Sequence, residues 1–299
     1  MEQESSDERG DSVRVDTDKE SAFIERRKLV AQFHRHLNYS VFGLSLLAIP
    51  VGIAAAYGAW AFGAAVGSLG FLFRGESTVI GNVFHLIELA TAGLLFGIVL
   101  HFLKWERFRT PAHVIVASAE NGGRMRLRDG FITSVADATA LALAAPVGRY
   151  GPAVNLGATI GSVFGQWMRL GETSVRILLG CGVAGAISAA FNAPIAGVIF
   201  AHEVIIGHFK LRAFAPVTLA SVAAVAVTRH HGIEYEALKL PSALHPVTPE
   251  DYPIFLGLGF FMALVAMVYM SGIVGAAGVA RRLRIPKWLQ PMIGGTLAG

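Results

Sequence analysis

The sequence predicts an all-α integral membrane protein. Three observations carry that prediction. Residues of the AVILMFWYC set make up 54% of the 299 residues, and charged residues only 15%, against about 25% in soluble domains. Sixteen of the 46 charges fall within residues 1–37, which leaves the rest of the chain sparsely charged. Long uncharged runs then recur, and a bilayer core needs about 20 residues of helix. A soluble single domain, a disordered chain and a disulfide scaffold are excluded. Cys181 stands alone, has no partner in its own chain, and says nothing about redox compartment. The formal net charge of +4 arises from short loop clusters rather than one basic face, which argues against a nucleic-acid partner.

Residues 1–20 are dense in charge with no apolar period and read as a disordered tail. No secretory signal is expected, because the first long apolar run starts near Asn38, too far in and too long. Residues 21–37 place Phe23, Ile24, Leu29, Val30, Phe33 and Leu37 opposite Arg26, Arg27, Lys28 and Arg35. An amphipathic helix on the cytoplasmic membrane surface fits this spacing, as does a solvated lead-in helix.

From Asn38 to Phe73 there are 36 residues without a charge, long enough to cross at a tilt. Gly52, Gly58, Gly63, Gly67 and Gly70 invite close helix approach. A polar loop, Arg74 to Asn82, precedes a second apolar segment, about Val83 to Leu103. Basic stretches follow, first Lys104 to Arg109 and then Arg124, Arg126 and Arg128. The loop after the first span is neutral and the later ones are basic, so the positive-inside rule places the N-terminus in the cytoplasm.

Beyond residue 128 the apolar pieces shorten, to about 130–147, 152–168, 174–190, 194–207 and 213–228, punctuated by Pro146, Pro152 and Pro194. Broken backbone inside a membrane survives only where protein or a polar path surrounds it. Half-helices meeting near the midplane are a recurrent transporter device. The loop Arg229 to Asp251 carries net −2 and is expected outside. Tyr252 to Ala280 is a charge-free span of 29 residues, and Arg281, Arg282, Arg284 and Lys287 behind it are expected inside. The last residues, PMIGGTLAG, lie within another apolar segment, so the chain is expected to continue past Gly299.

Two segments carry the candidate chemistry. In the first, Gly148, Arg149, Tyr150, Gly151, Pro152, Ala153 and Val154 lead into a helix with Gly157, Gly161 and Gly165 at intervals of four. Pro152 suits a first helical turn, and Gly148 and Gly151 permit a tight turn before it. The free amides of such a helix start attract an anion; a Pro-initiated helix packed tightly with nothing bound fits equally. In the second, small residues from Gly180 to Ala190 lead to Phe191, Asn192, Ala193 and Pro194, a break and restart, and then to His202 and Glu203. A membrane carboxylate points to function, although Glu203 also suits a place at the interface or a pairing with Lys210 or Arg212.

GRYGPAVNLGATIG resembles the GREGPxVQxGxxxG motif of the chloride channel (CLC) family, and GVAGAISAAFNAPIAGVIFAHEV resembles its GxAAGxAAAFNAPLAGxLFxxEE stretch. Order and spacing agree over roughly residues 22–299. The resemblance implies a multi-helix bundle with broken and re-entrant half-helices from inverted repeats, converging on chloride as the transported ligand. It implies a homodimer in a lipid bilayer and no other cofactor. Residues 1–37 would be the cytoplasmic tail and amphipathic helix, 38–228 the first half, 229–251 an extracytoplasmic loop and 252–299 the start of the second half. The family's GxFxP motif and pore tyrosine would then lie beyond Gly299.

The departures from the family pattern point to mechanism. Tyr150 stands where the family has its gate glutamate, and a phenol is uncharged at neutral pH. Val204 stands where the family's transporters carry a second, proton-handling carboxylate, one residue after the position matched by Glu203. Of the GSGIP motif, aligned with Arg107 to Pro111, only the proline is retained. The resemblance thus implies passive anion movement in a multi-pass plasma (inner) membrane protein. A non-conducting regulatory subunit is the alternative. A membrane metal-dependent hydrolase using His85, Glu88, His202 and Glu203 is the remote one, and it lacks an HExxH ligand set.

Overall fold

The computed structural model describes residues 40–73, 90, 93–94, 97, 111–142, 148, 150–232, 248–282, 286, 289 and 292–294. The amphipathic segment 21–37, nearly all of the second apolar segment, and Arg284 and Lys287 lie outside them. Every described element is helical: α1 (Val41–Phe73), α2 (Pro111–Glu120), α3 (Leu127–Ala142), α4 (Tyr150–Trp167), α5 (Glu172–Phe191), α6 (Pro194–Phe200), a π-helical turn (Ala201–Ile206), α7 (Leu211–His230), a 3₁₀ turn (Pro249–Asp251) and α8 (Tyr252–Arg282). Four are long and apolar enough to cross a membrane: Val41–Gly70, Glu172–Phe191, Leu211–His230 and Pro249–Ala280.

The chain divides into two compact units. The first comprises residues 1–62, 109–134 and 150–233, and α5 is its axis, with sixteen of its twenty residues buried. Along one side, Val175, Leu178, Cys181 and Ala184 pack with Leu44, Ala48 and Val51 of α1 and with Ala213, Val217 and Ala220 of α7. Along the other, Leu179, Val183 and Ile187 meet Val114 and Ala117 of α2 and Val154 and Ala158 of α4. A helix apolar all round belongs at such a centre.

Small residues permit the approach. A Cβ on Gly157 would run into the carbonyl of Gly182 and one on Gly161 into that of Leu178, while one on Gly165 would press tightly on Val175. The interval of four therefore does what its spacing predicts, and α4 lies on α5 backbone to backbone.

Polar bonds fix the ends. Ser162 Oγ donates to the Gly123 carbonyl (2.6 Å) and accepts from the Met125 amide (2.7 Å). Gln166 Nε2 donates to the Met125 carbonyl (2.8 Å). The loop so held needs positive φ at Gly122 and Gly123 (57° and 77°), which glycine alone adopts without strain. Arg176 of α5 donates from Nε to Ser118 Oγ (3.0 Å) and from Nη2 to the Ile206 carbonyl (2.9 Å), tying α2 and the π turn to one guanidinium.

The second unit comprises residues 63–108, 135–149 and 234–299. Its main described element is α8, whose apolar side chains stand exposed along its length, with a mean hydropathy of 2.2 in its most apolar stretch. Such a helix in water would be untenable; in hydrocarbon it needs no cover.

The glycine spacing yields a stability prediction. Gly161→Ala should lower the unfolding free energy in detergent by about 1–3 kcal/mol, the cost of overpacking. Gly67→Ala, where a Cβ meets nothing within 4 Å, should be neutral or slightly stabilising. Thermal unfolding of the two variants checks this, and equal melting points would contradict the backbone contact.

Candidate functional site

Both sequence segments fold as helix boundaries. α5 ends at Phe191, and Asn192 takes the left-handed conformation (φ 51°, ψ 34°) with its amide donating back to the Ser188 carbonyl. Asparagine tolerates that region better than other non-glycine residues. Ala193 then precedes α6, which starts on Pro194, where a missing amide costs nothing. The break is held from beneath. Ser221 Oγ of α7 donates to the Pro194 carbonyl (2.7 Å), so its own proton is used, and the Ser188 hydroxyl must supply the one shared with Ser221 (2.7 Å). Ser188 and Ser221 are both fully buried. Gly197 makes room, since a Cβ there would overlap Ser188 Oγ.

The first segment differs from expectation in one respect. The helix begins at Tyr150, two residues before Pro152, so Gly151 lies inside α4 rather than in the turn before it. The first four amides of a helix lack intrahelical acceptors, and a proline at the third position breaks no bond. Tyr150 is thereby carried on the first turn instead of in the loop. Gly151 and Pro152 are half-buried and Ala153 and Val154 buried, whereas Gly148 is exposed. Arg149 lies outside the described residues.

Tyr150 and Phe191 bring the segments together. Their rings stack with centroids 4.0 Å apart and planes inclined by 27°, and both remain partly open, at 39% and 49% exposed. Asn192, next in the chain, accepts from Arg229 Nε at the end of α7 (3.0 Å). On the same unit Tyr57 Oη lies 2.7 Å from His231 Nε2. Neither the ring stack nor these two bonds is readable from the sequence, because each joins residues far apart in the chain with no shared motif. Asn155, in the second turn of α4, is fully buried, and neither atom of its amide has a hydrogen-bond partner among the described residues.

Glu203 and Val204 lie on the π turn. Glu203 is exposed, while Val204 is half-buried against the cluster of Val114, Val183 and Ile205. His202 and Glu203, imagined as paired ligands, separate. His202 is fully buried, with its Nδ1 2.8 Å from the His208 carbonyl and its ring against Phe209 and Phe214. Partial burial, then the Lys210 ammonium, lowers the pKa of the His208 imidazole from its ordinary value. His85, Glu88 and Arg107 to Thr110 lie outside the described residues, and Pro111 opens α2.

The pattern of the voltage gated chloride channel family matches residues 92–299. The chain belongs to that family. Its fold is that of a multi-pass, all-helical membrane protein, and the family is one of channels and transporters rather than enzymes, which removes the hydrolase reading. A ClcB-like chloride channel protein of Ralstonia nicotianae is 30% identical over 212 residues, 69% of this chain and 49% of that protein. The voltage-gated ClC-type chloride channel ClcB of Escherichia coli (strain SMS-3-5) is 26% identical over 271 residues, 85% of this chain and 63% of that one. The chain spans about half the length of the first of these relatives. Among solved structures, a CLC-type fluoride/proton antiporter superposes with a TM-score of 0.70 at 24% identity, covering 87% of this chain and 64% of that one. A slow cyanobacterial Cl⁻/H⁺ antiporter does so with a TM-score of 0.70 at 19% identity, covering 85% and 63%. At these identities the family member shares their fold, and the comparison extends no further.

The break predicts a stability effect. Ser221→Ala strips the donor from the Pro194 carbonyl and the acceptor from Ser188, and should cost about 1–3 kcal/mol. Ser221→Thr keeps both and should cost less. Chemical unfolding in detergent measures the difference; a neutral Ser221→Ala would show that the break is held otherwise.

Proposed function

We propose that this chain forms part of a passive path for chloride or a similar small anion, with Tyr150 at the gate. The observation that carries the reading is the stack of Tyr150 on Phe191 at 4.0 Å. It joins the two family motifs at two helix breaks, where membrane transporters place their ligands. A phenol there can donate a hydrogen bond to an anion without competing with it as a second negative charge. The buried amide of Asn155 adds unpaired polarity one turn deeper.

Proton coupling requires a titratable group at the gate and another on a proton route. Tyr150 and Val204 put a phenol and an alkyl group where such an exchanger would need carboxylates. In the same reading, residues 38–228 form the first inverted half, 229–251 an extracytoplasmic loop and 252–299 the start of the second half. The assembly is a homodimer in the plasma (inner) membrane with its N-terminus in the cytoplasm.

The test is proton uptake by proteoliposomes containing the full-length gene product, under an imposed chloride gradient with the potential controlled. Chloride should move without stoichiometric proton pumping. Tyr150→Glu should make the flux pH-dependent, falling as pH rises, because an ionised carboxylate competes with the anion and a protonated one does not. Proton pumping by the unmodified protein would overturn the passive reading, and absence of any anion flux would favour a non-conducting regulatory subunit.

A further inference from the structure

Arg229 is the fourth side chain of the constellation at the two breaks, and neither family motif contains it. It sits in the last turn of α7, exposed, and its Nε donates to Asn192 Oδ1 over 3.0 Å. Asn192 follows Phe191 directly, and the Phe191 ring lies on Tyr150. A guanidinium is thus anchored by one of its five donors to the residue beside the gate ring, and among the described residues no other hydrogen bond engages its four terminal N–H groups. The anchor matters because a free arginine side chain samples many rotamers, whereas one bonded through Nε holds its charge in place.

We propose that Arg229 is an anion-recruiting residue, with Asn192 as its positioning residue, that raises the local concentration of small monovalent anions at the mouth of the Tyr150 gate. The proposal rests on the anion-path reading above. A fixed positive charge at a low-dielectric opening focuses field lines and speeds the arrival of anions, and it does so without contacting the anion once it is inside. A purely structural role would instead rest on the opposition of Arg229 and His230 to the negative end of the α7 dipole. The two roles differ in salt dependence. Recruitment acts through solvent and vanishes when the Debye length falls to about 3 Å, near 1 M salt, from about 30 Å at 0.01 M. A structural defect would persist at any ionic strength.

The experiment is initial chloride efflux from proteoliposomes of the full-length gene product at about 0.01 M and 1 M ionic strength, the latter made up with a salt of an impermeant anion. Arg229→Gln should slow efflux about two- to five-fold at low ionic strength and leave it unchanged at high. Its effect should fall on the apparent KM for chloride rather than on the maximal rate. Arg229→Lys keeps the charge and should retain most of the low-salt rate. Asn192→Gly keeps the left-handed backbone while freeing the guanidinium, and should give an intermediate, salt-sensitive loss. A conducting wild type with an indifferent Arg229→Gln, or one equally slow at both ionic strengths, would overturn the recruiting role and leave the path intact. A wild type without chloride flux would overturn the path and the recruitment together.

Discussion

Backbone contact between α4 and α5 is the constraint on which the rest of the first unit depends. Where Gly157 faces Gly182 and Gly161 faces the Leu178 carbonyl, no side chain intervenes. Two consequences follow. Dispersion between closely apposed backbones replaces the hydrophobic effect, which has little hold between helices in lipid. Each motif also acquires a fixed partner, because the start of α4 and the end of α5 are carried to the same end of an antiparallel pair. The stacking of Tyr150 on Phe191 is the local expression of that register.

The breaks themselves are inexpensive because their polar groups are satisfied. Asn192 returns its amide to Ser188, and Ser188, Ser221 and the Pro194 carbonyl form a chain of donors and acceptors in which every proton has a destination. At the opposite end of α5, Arg176 closes the π turn through the Ile206 carbonyl. A π turn in a helix marks a local departure from regular bonding, often at functional positions. Here it carries Glu203 and Val204.

Much of this was legible in the sequence wherever a single residue type dictates backbone geometry. Pro194 after an Asn and an Ala announced the restart of a helix, and glycines four apart announced a contact face. The apolar runs announced spans, and α1, α5, α7 and α8 follow their limits closely. The start of α4 was misplaced by two residues because the first turn of a helix tolerates proline at several positions. The π turn was invisible, and the guanidinium bonded to its Ile206 carbonyl comes from 30 residues earlier in the chain. The Tyr150–Phe191 stack and the Arg229–Asn192 bond depend on tertiary register, which no local pattern encodes.

The proposed path takes residue 150, stacked on Phe191, as the point where passage would be controlled. The central claim is that the aromatic pair closes the mouth of the path. Its most direct measurement joins positions 150 and 191 covalently. Tyr150→Cys and Phe191→Cys would be introduced together, with Cys181→Ala to remove the native thiol, and treated in membranes with a short reducible bifunctional thiol reagent. Each single-cysteine variant serves as the control. Closure at the pair predicts that cross-linking abolishes anion flux in the double variant and that reduction restores it. Flux that continues unchanged through a quantitatively cross-linked pair would contradict it.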